Sequence, residues 1–247
     1  MTHNPTTAEP VFLSAGDTAL VVQFGEVVDR EVNRRVARLE AAVRSQDLAG
    51  IVDLVPTFRS LMIHYDPLVT GQEDLCSAVT ELLRHTPDVE GHRRFWRIPV
   101  CYEGDQAPDM TQVCAEMGMS PAEVIEGHAA TVFDVFMMGF LPGFPYLGIL
   151  PEAFDLPRRR EPRVKVPARS ISVAGRQTTV YTLECPGGWH LIGRTPVDFY
   201  DGDREDPILV AAGDQIQFIP ISEPEYHETR RAVEQRTYEI DQAVIDE

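Results

Sequence analysis

Apolar positions recur along the chain in two different rhythms, and the rhythm changes near residue 90. In the first stretch, residues 18–24 (TALVVQF) read as a short strand closed by Gly25. Asp29 then offers a helix N-cap, and Val32, Val36, Leu39 and Val43 fall on one helical face. Gly50 precedes a second strand (IVDLV), Pro56 breaks it, and SLMIHY at 60–65 supplies a third. After the Asp66-Pro67 turn, Leu75, Val79, Leu82 and Leu83 make the apolar stripe of a helix over about 72–85. The order β-α-β-β-α predicts two helices on one face of a mostly antiparallel sheet. Within this part, Arg59 and His64 are the only candidates for chemistry, and both residue types are more often structural in such settings.

TPDVEGH at 86–92 is polar, carries Pro and Gly, and predicts a domain boundary, giving a small domain over 1–90. Beyond it the strands become short and frequent. FWRIPVCY at 95–102 opens the second part, followed by helices from about 109 to 117 and from Ser120 to near His128. Ser120-Pro121-Ala122-Glu123 is a capping box with Pro at the first helical position. TVFDVFMM reads as a strand, and further β-type runs recur at 170–174, 177–183, 189–192, 207–211 and 215–219. Many short strands punctuated by Gly, Pro and Asp predict a barrel or sandwich over 91–222. The stretch 223–247 reads as a polar, Glu-rich helical tail.

Three segments of the second part carry candidate chemistry. GFLPGFPYLG at 139–148 holds aromatic rings where turns ordinarily place polar residues, as a plug for a barrel end or as a pocket wall. RRREPRVKVPARSISVAGR at 158–176 carries a net +6 in a chain of formal charge −17. Its arginines and Lys165 alternate with Val164, Val166 and Ile171, which puts several of them on one strand face and suits a phosphate or carboxylate. GGWHLIGRTP at 187–196 brings Trp189, His190, Arg194 and Thr195 together among glycines that admit close backbone approach.

Composition narrows the function classes. The chain has 247 residues, 43% of them apolar, which is a globular composition. The acidic balance argues against nonspecific nucleic-acid binding. No run of 18 uncharged apolar residues exists, so no membrane span is expected, and no signal peptide is readable at MTHNPTTAEPVF. Four cysteines without a C-x-x-C spacing, at 76, 101, 114 and 185, read as reduced thiols of a cytoplasmic protein. Seven histidines without H-E-x-x-H or H-x-H give no metal site. Phosphate loops of the G-x-x-x-x-G-K-[ST] and G-x-G-x-x-G types are absent, as is the G-x-S-x-G elbow.

GFLPGFPYLG, PRRREPRVKVPARSISVAGRQTTVY and CPGGWHLIGRTP closely resemble the B-subunit family of ATP-dependent 5-oxoprolinase. The same family is described as allophanate hydrolase subunit 1, as carboxyltransferase domain subdomain C and D, and as the Kip-type sporulation-kinase inhibitor. Ser14-Ala15-Gly16-Asp17, Phe24-Gly25, Pro56-Thr57-Phe58-Arg59-Ser60, Tyr65-Asp66-Pro67 and the run from Gly213-Asp214 to Pro220-Ile221 extend the resemblance over nearly the whole chain. It implies an α+β N-terminal domain followed by a cyclophilin-like β-barrel. It also implies opening of 5-oxo-L-proline to L-glutamate with cleavage of ATP, Mg2+ accompanying the nucleotide in the complex. The implied partners are a homologous C subunit and a LamB/YcsF-type A subunit, with a homodimer possible when the chain is alone. The alternatives are a carboxyltransferase or allophanate-hydrolase component of urea or amide metabolism, with biotin arriving on another polypeptide, and a non-catalytic histidine-kinase inhibitor. On the matching motifs, Arg194 and Lys165 become catalytic candidates with His190 as general base, and Arg163, Gln177, Trp189 and Thr195 become substrate- or anion-binding candidates. Two positions depart from the family pattern: Arg169 stands where glycine is common, and Glu103-Gly104-Asp105 replaces a Gly-Gly pair.

Overall fold

The computed structural model describes residues 9–85 and 93–245, and the chain separates into two compact units, Met1–Gly91 and His92–Asp246. The boundary segment at 86–92 lies outside the described residues.

In the first unit, strands β1 (Val11–Ser14), β2 (Ala19–Gln23), β3 (Ile51–Pro56) and β4 (Ser60–Tyr65) form an antiparallel sheet in the order β1-β2-β4-β3. Helices α1 (Arg30–Gln46) and α2 (Gln72–His85) complete the unit. Asp29 caps α1, its Oδ1 accepting from the Glu31 and Val32 amides at 2.8 and 3.1 Å. Val32, Val36, Leu39 and Val43 of α1 are buried in one core with Leu20, Val22, Leu61 and Ile63 of the sheet and Leu75 and Val79 of α2. The edge strand β1 escapes sequence reading because its burial is one-sided and slight, with Val11 and Leu13 exposed and Phe12 packed on the core.

The second unit is a closed, mixed barrel. Its strands are β5 (Arg93–Cys101), β6 (Val132–Met138), β7 (Pro145–Gly148), β9 (Ser170–Ala174), β10 (Gln177–Val180), β12 (His190–Arg194) and β13 (Gln215–Ile221). They run in the order β12-β9-β10-β7-β6-β13-β5, and Arg194 pairs with Cys101 to join β12 back to β5. β13 and β5 are parallel; the other neighbours are antiparallel. At the closing seam Gly193 has no room for a side chain, since a Cβ there would lie 2.8 Å from Val100 Cγ1 and 3.0 Å from the Cys101 carbonyl. Ile98, Val100, Phe133, Val135, Leu147, Ile171, Val173, Ile192, Ile216 and Phe218 fill the interior. The expected α+β portion followed by a β-barrel is therefore the observed architecture.

Helices α3 (Met110–Met117) and α4 (Pro121–Ala129) lie between β5 and β6, and the Ser120–Glu123 capping box is formed as read. α4 delivers His128 into the barrel core, where it is fully buried. Its Nδ1 lies 2.8 Å from the Tyr102 hydroxyl, its Nε2 lies 2.9 Å from Thr178 Oγ1, and its ring stacks on Phe218. Burial pushes its pKa down to about 3, so the ring is neutral in the folded protein.

Three expectations are corrected. The run 207–211 is no strand; it makes only an isolated bridge between Tyr200 and Ile208, since Pro207 has no N–H to extend the pairing, and Val210 drops into the barrel core. The tail is not wholly helical: α5 (Glu223–Glu234) ends, and β14 (Asp241–Ile245) pairs antiparallel with β5 outside the barrel. Of the basic residues of 158–176, only two alternate along a strand. β8 (Arg163–Val166) holds only Arg163 and Lys165 and pairs with β11 (Cys185–Gly187) in a two-stranded ribbon. Arg169 and Arg176 occupy turns with φ of 69° and 60°.

Candidate functional site

Of the residues singled out by sequence, Arg163, Trp189 and His190 lie at one end of β12 and Arg194 and Thr195 at the other, about 13 Å apart at the usual strand rise. His190 opens the strand and Arg194 closes it.

At the His190 end the organising group is Asp109, a buried carboxylate just ahead of α3 that sequence reading passes over. Asp109 is stitched to β12 by two bonds: its amide donates to the Leu191 carbonyl at 3.0 Å, and its Oδ2 accepts from the Leu191 amide at 2.7 Å. Arg163 grips the same carboxylate with both terminal nitrogens, at 2.8 and 2.6 Å, and Arg159 adds a third contact at 3.0 Å. Two guanidiniums on one buried carboxylate leave an excess positive charge at this spot. Arg163 thus holds the scaffold of the site and spends its fork on Asp109.

Against this anchor lies a cavity of ≈520 Å3, lined by Gln112 and Glu116 of α3, by Pro157, Arg158, Arg159, Arg160 and Glu161, and by His190. His190 is buried, with Nε2 2.9 Å from the Pro157 carbonyl. A carbonyl can only accept, so Nε2 carries a proton and donates it, and the second ring nitrogen is Nδ1. That Nδ1 is buried without a hydrogen-bond partner, and so is the Nε of Arg159. Both atoms are closed to solvent, on residues that line the cavity.

An aromatic wall adjoins the basic rim. The Arg158 guanidinium lies over Trp189, 5.7 Å from the ring centroid, and Trp189 meets Tyr146 edge-on at 6.3 Å. Burial raises the Tyr146 hydroxyl's pKa, with Arg158 working in the opposite direction. Phe144, Tyr181 and Leu191 back this wall as a small separate core, and burial drives the Tyr181 hydroxyl up to about 12. The segment 139–148 is therefore part plug and part wall: Phe144 is buried and Tyr146 half-buried, while Phe140 stands exposed with φ of 71°. Gly187 makes room for the Tyr181 ring, whose hydroxyl a Cβ would strike, so this glycine and Gly193 admit protein atoms rather than ligand.

The other candidates sit apart from the cavity. Lys165 is exposed and paired with Glu184 at 2.8 Å, a hydrogen bond that raises its pKa. Gln177 opens β10 opposite Ala174 and Gly148, two strands from β12. Thr195 is fully buried; its Oγ1 accepts from the Val197 amide at 3.2 Å and its own amide donates to the Arg169 carbonyl at 3.0 Å, which fixes the turn after β12. Arg194 is half-buried at the far end of the strand, where its Nε donates to the Ala168 carbonyl at 2.9 Å. Among the described residues no group of three or more His, Cys, Asp or Glu could hold a metal ion, and no helix is long and apolar enough to cross a membrane.

Residues 10–210 match the family model described as carboxyltransferase domain, subdomain C and D. The chain is 37% identical over 226 residues to a protein of Bacillus subtilis named as the B subunit of 5-oxoprolinase, covering 86% of this chain and 93% of that one. It is 38% identical over 212 residues to a protein of the same name from Escherichia coli O157:H7, covering 84% of this chain and 94% of that one. In fold it resembles Kluyveromyces lactis urea carboxylase, with a TM-score of 0.79 at 19% identity, over 96% of this chain and 24% of that much longer one. The chain belongs to the carboxyltransferase domain, subdomain C and D, family.

Proposed function

We propose that this member of the carboxyltransferase subdomain C and D family is the B subunit of a 5-oxoprolinase and contributes the anion-binding part of a site where 5-oxo-L-proline is opened to L-glutamate. The observation that carries this reading is the alignment with two proteins named as the B subunit of 5-oxoprolinase over 93% and 94% of their lengths. The cavity at the start of β12 supports it. 5-Oxoproline is a small lactam with one carboxylate, and Arg158 and Arg160 supply guanidinium forks of the kind that bind carboxylates. Tyr146, half-buried beside Arg158, flanks the ring, and His190, which lines the cavity, serves as the proton acceptor.

A lactam carbonyl is a poor electrophile. Transfer of the γ-phosphoryl group of ATP to its oxygen, releasing ADP, makes the carbon electrophilic; water adds to it, the ring nitrogen takes up a proton and leaves as the C–N bond breaks, and a second water hydrolyses the resulting acyl phosphate to L-glutamate and phosphate. ATP with Mg2+ enters this scheme at the level of a complex with a homologous C subunit and a LamB/YcsF-type A subunit. This chain's share is to fix the carboxylate and to hold the proton acceptor in place.

The test is reconstitution of the three proteins, following glutamate from 5-oxoproline with and without ATP. ATP-dependent glutamate that disappears when this chain is omitted supports the reading. No glutamate from a correctly assembled complex overturns it. His190→Gln in the active complex should lower kcat by about 10²-fold or more, the usual worth of a positioned proton acceptor.

A further inference from the structure

The end of β12 opposite the His190 cavity holds a second basic cluster that the proposed function leaves unused. Arg169 in the turn before β9 and Arg230 of α5 meet there on a single carboxylate, Asp198, and Arg194 at the end of β12 lies close enough to feel the charge of both. Arg169 Nη1 reaches Asp198 Oδ1 at 3.1 Å, and Arg230 Nη1 reaches Oδ2 at 2.7 Å. Arg230 is further held by the Pro196 carbonyl at 3.0 Å and by Glu234 at 2.9 Å. Asp198 is therefore spent, and it orients both forks.

Arg194 has no such partner. Among the described residues it forms no ion pair, and its one hydrogen bond, from Nε to the Ala168 carbonyl, leaves both terminal nitrogens uncommitted. Its pKa is lowered, first by burial and then by the charges of Arg169 and Arg230, against an opposing influence from Tyr226. Arg169 also has its Nε buried without an acceptor. Its backbone is left-handed at φ 69°, a conformation that costs an L-residue about 1 kcal/mol and that glycine adopts freely. In a chain of net charge −17 carboxylates are plentiful, so composition does not explain why Arg194 lacks one.

We propose that Arg169, Arg194 and Arg230 form a binding site for a phosphate group, carried either by free inorganic phosphate or by the end of a nucleotide's phosphate chain. Set against Asp198 and Glu234, the three guanidiniums leave a net positive charge, and the peripheral oxygens of a phosphate match the free fork of Arg194. The assignment concerns this chain alone and does not rest on the 5-oxoprolinase reading.

Isothermal titration of the full chain with inorganic phosphate tests it, beside titrations with ATP in the absence of Mg2+ and with acetate. Phosphate should bind the wild type more tightly than acetate and more weakly as salt is raised. Arg194→Gln and Arg230→Gln, each verified as folded by circular dichroism, should weaken binding about 10-fold or more, the worth of one charge-assisted pair. Arg160→Gln, at the other end of β12, should leave it in place. ATP binding more tightly than phosphate, and displaced by it, identifies a nucleotide's phosphate chain as the ligand. Equal or weaker ATP binding identifies free phosphate. The proposal is overturned if the wild type binds no phosphate, if both cluster variants bind like wild type, or if Arg160→Gln alone abolishes binding.

Discussion

The buried histidine of the barrel gives the sharpest stability prediction. His128 is fully buried between Phe218 and Phe133, its two ring nitrogens are taken by Tyr102 and Thr178, and its pKa is near 3. In the unfolded chain an ordinary histidine titrates at about 6.5. Between these values the unfolded state binds a proton that the folded state refuses. The stability contributed by a neutral His128 is therefore complete above pH 6.5 and is lost as pH falls towards 3. The slope approaches about 1.4 kcal/mol per pH unit, so lowering pH from 7 to 5 should cost about 2 kcal/mol at this one site. Both tryptophans, Trp96 and Trp189, lie buried in the barrel unit, so urea unfolding followed by tryptophan fluorescence reports that unit selectively. His128→Gln keeps a donor and an acceptor but cannot titrate. It should be less stable than wild type at pH 7, with the gap narrowing by about 2 kcal/mol at pH 5. Parallel wild-type and variant curves across that range would refute the neutral, desolvated histidine.

Other perturbations follow from the same contacts. Asp109→Asn removes the charge that holds Arg159 and Arg163 and should destabilise the barrel by about 3–5 kcal/mol in urea titration, as expected when one partner of a buried ion pair is removed. Wild-type stability would mean that the two arginines find other anions. Gly193→Ala drives a methyl group into Val100 and the Cys101 carbonyl at the barrel seam and should cost about 1–3 kcal/mol, read from the denaturation midpoint. Gly213→Ala would meet no neighbour within 4 Å but must hold φ at 92°; its smaller loss, about 1 kcal/mol in the same assay, separates backbone strain from steric overlap. In the reconstituted complex, Arg158→Gln should raise KM for 5-oxoproline with little change in melting temperature, because this exposed side chain faces the cavity and anchors nothing in the ion-pair network around Asp109.

Local pattern fixed much of this protein before any coordinates. The α1 stripe of Val32, Val36, Leu39 and Val43, its Asp29 cap and the Ser120–Glu123 capping box are legible because the interacting residues lie within a few positions of one another. The resemblance of three motifs pointed to the barrel and to the basic segment, and Arg158, Arg159, Arg160 and His190 do meet at a cavity. Which arginine does what was decided by partners far away in the chain, and periodicity carries no trace of them. Asp109 is an unremarked acid before a helix until Arg159, Arg163 and Leu191 fold onto it. Lys165 and Arg163 stand two residues apart on one strand, yet one pairs at the surface with Glu184 and the other is anchored to a buried carboxylate. Sequence thus determined the local elements and the types of chemistry available, through short-range spacing and side-chain identity. Only barrel closure decided that His190 and Arg194, the first and last residues of a single strand, lie in two separate side-chain clusters, because the strand is extended and each of its ends faces a different set of distant side chains.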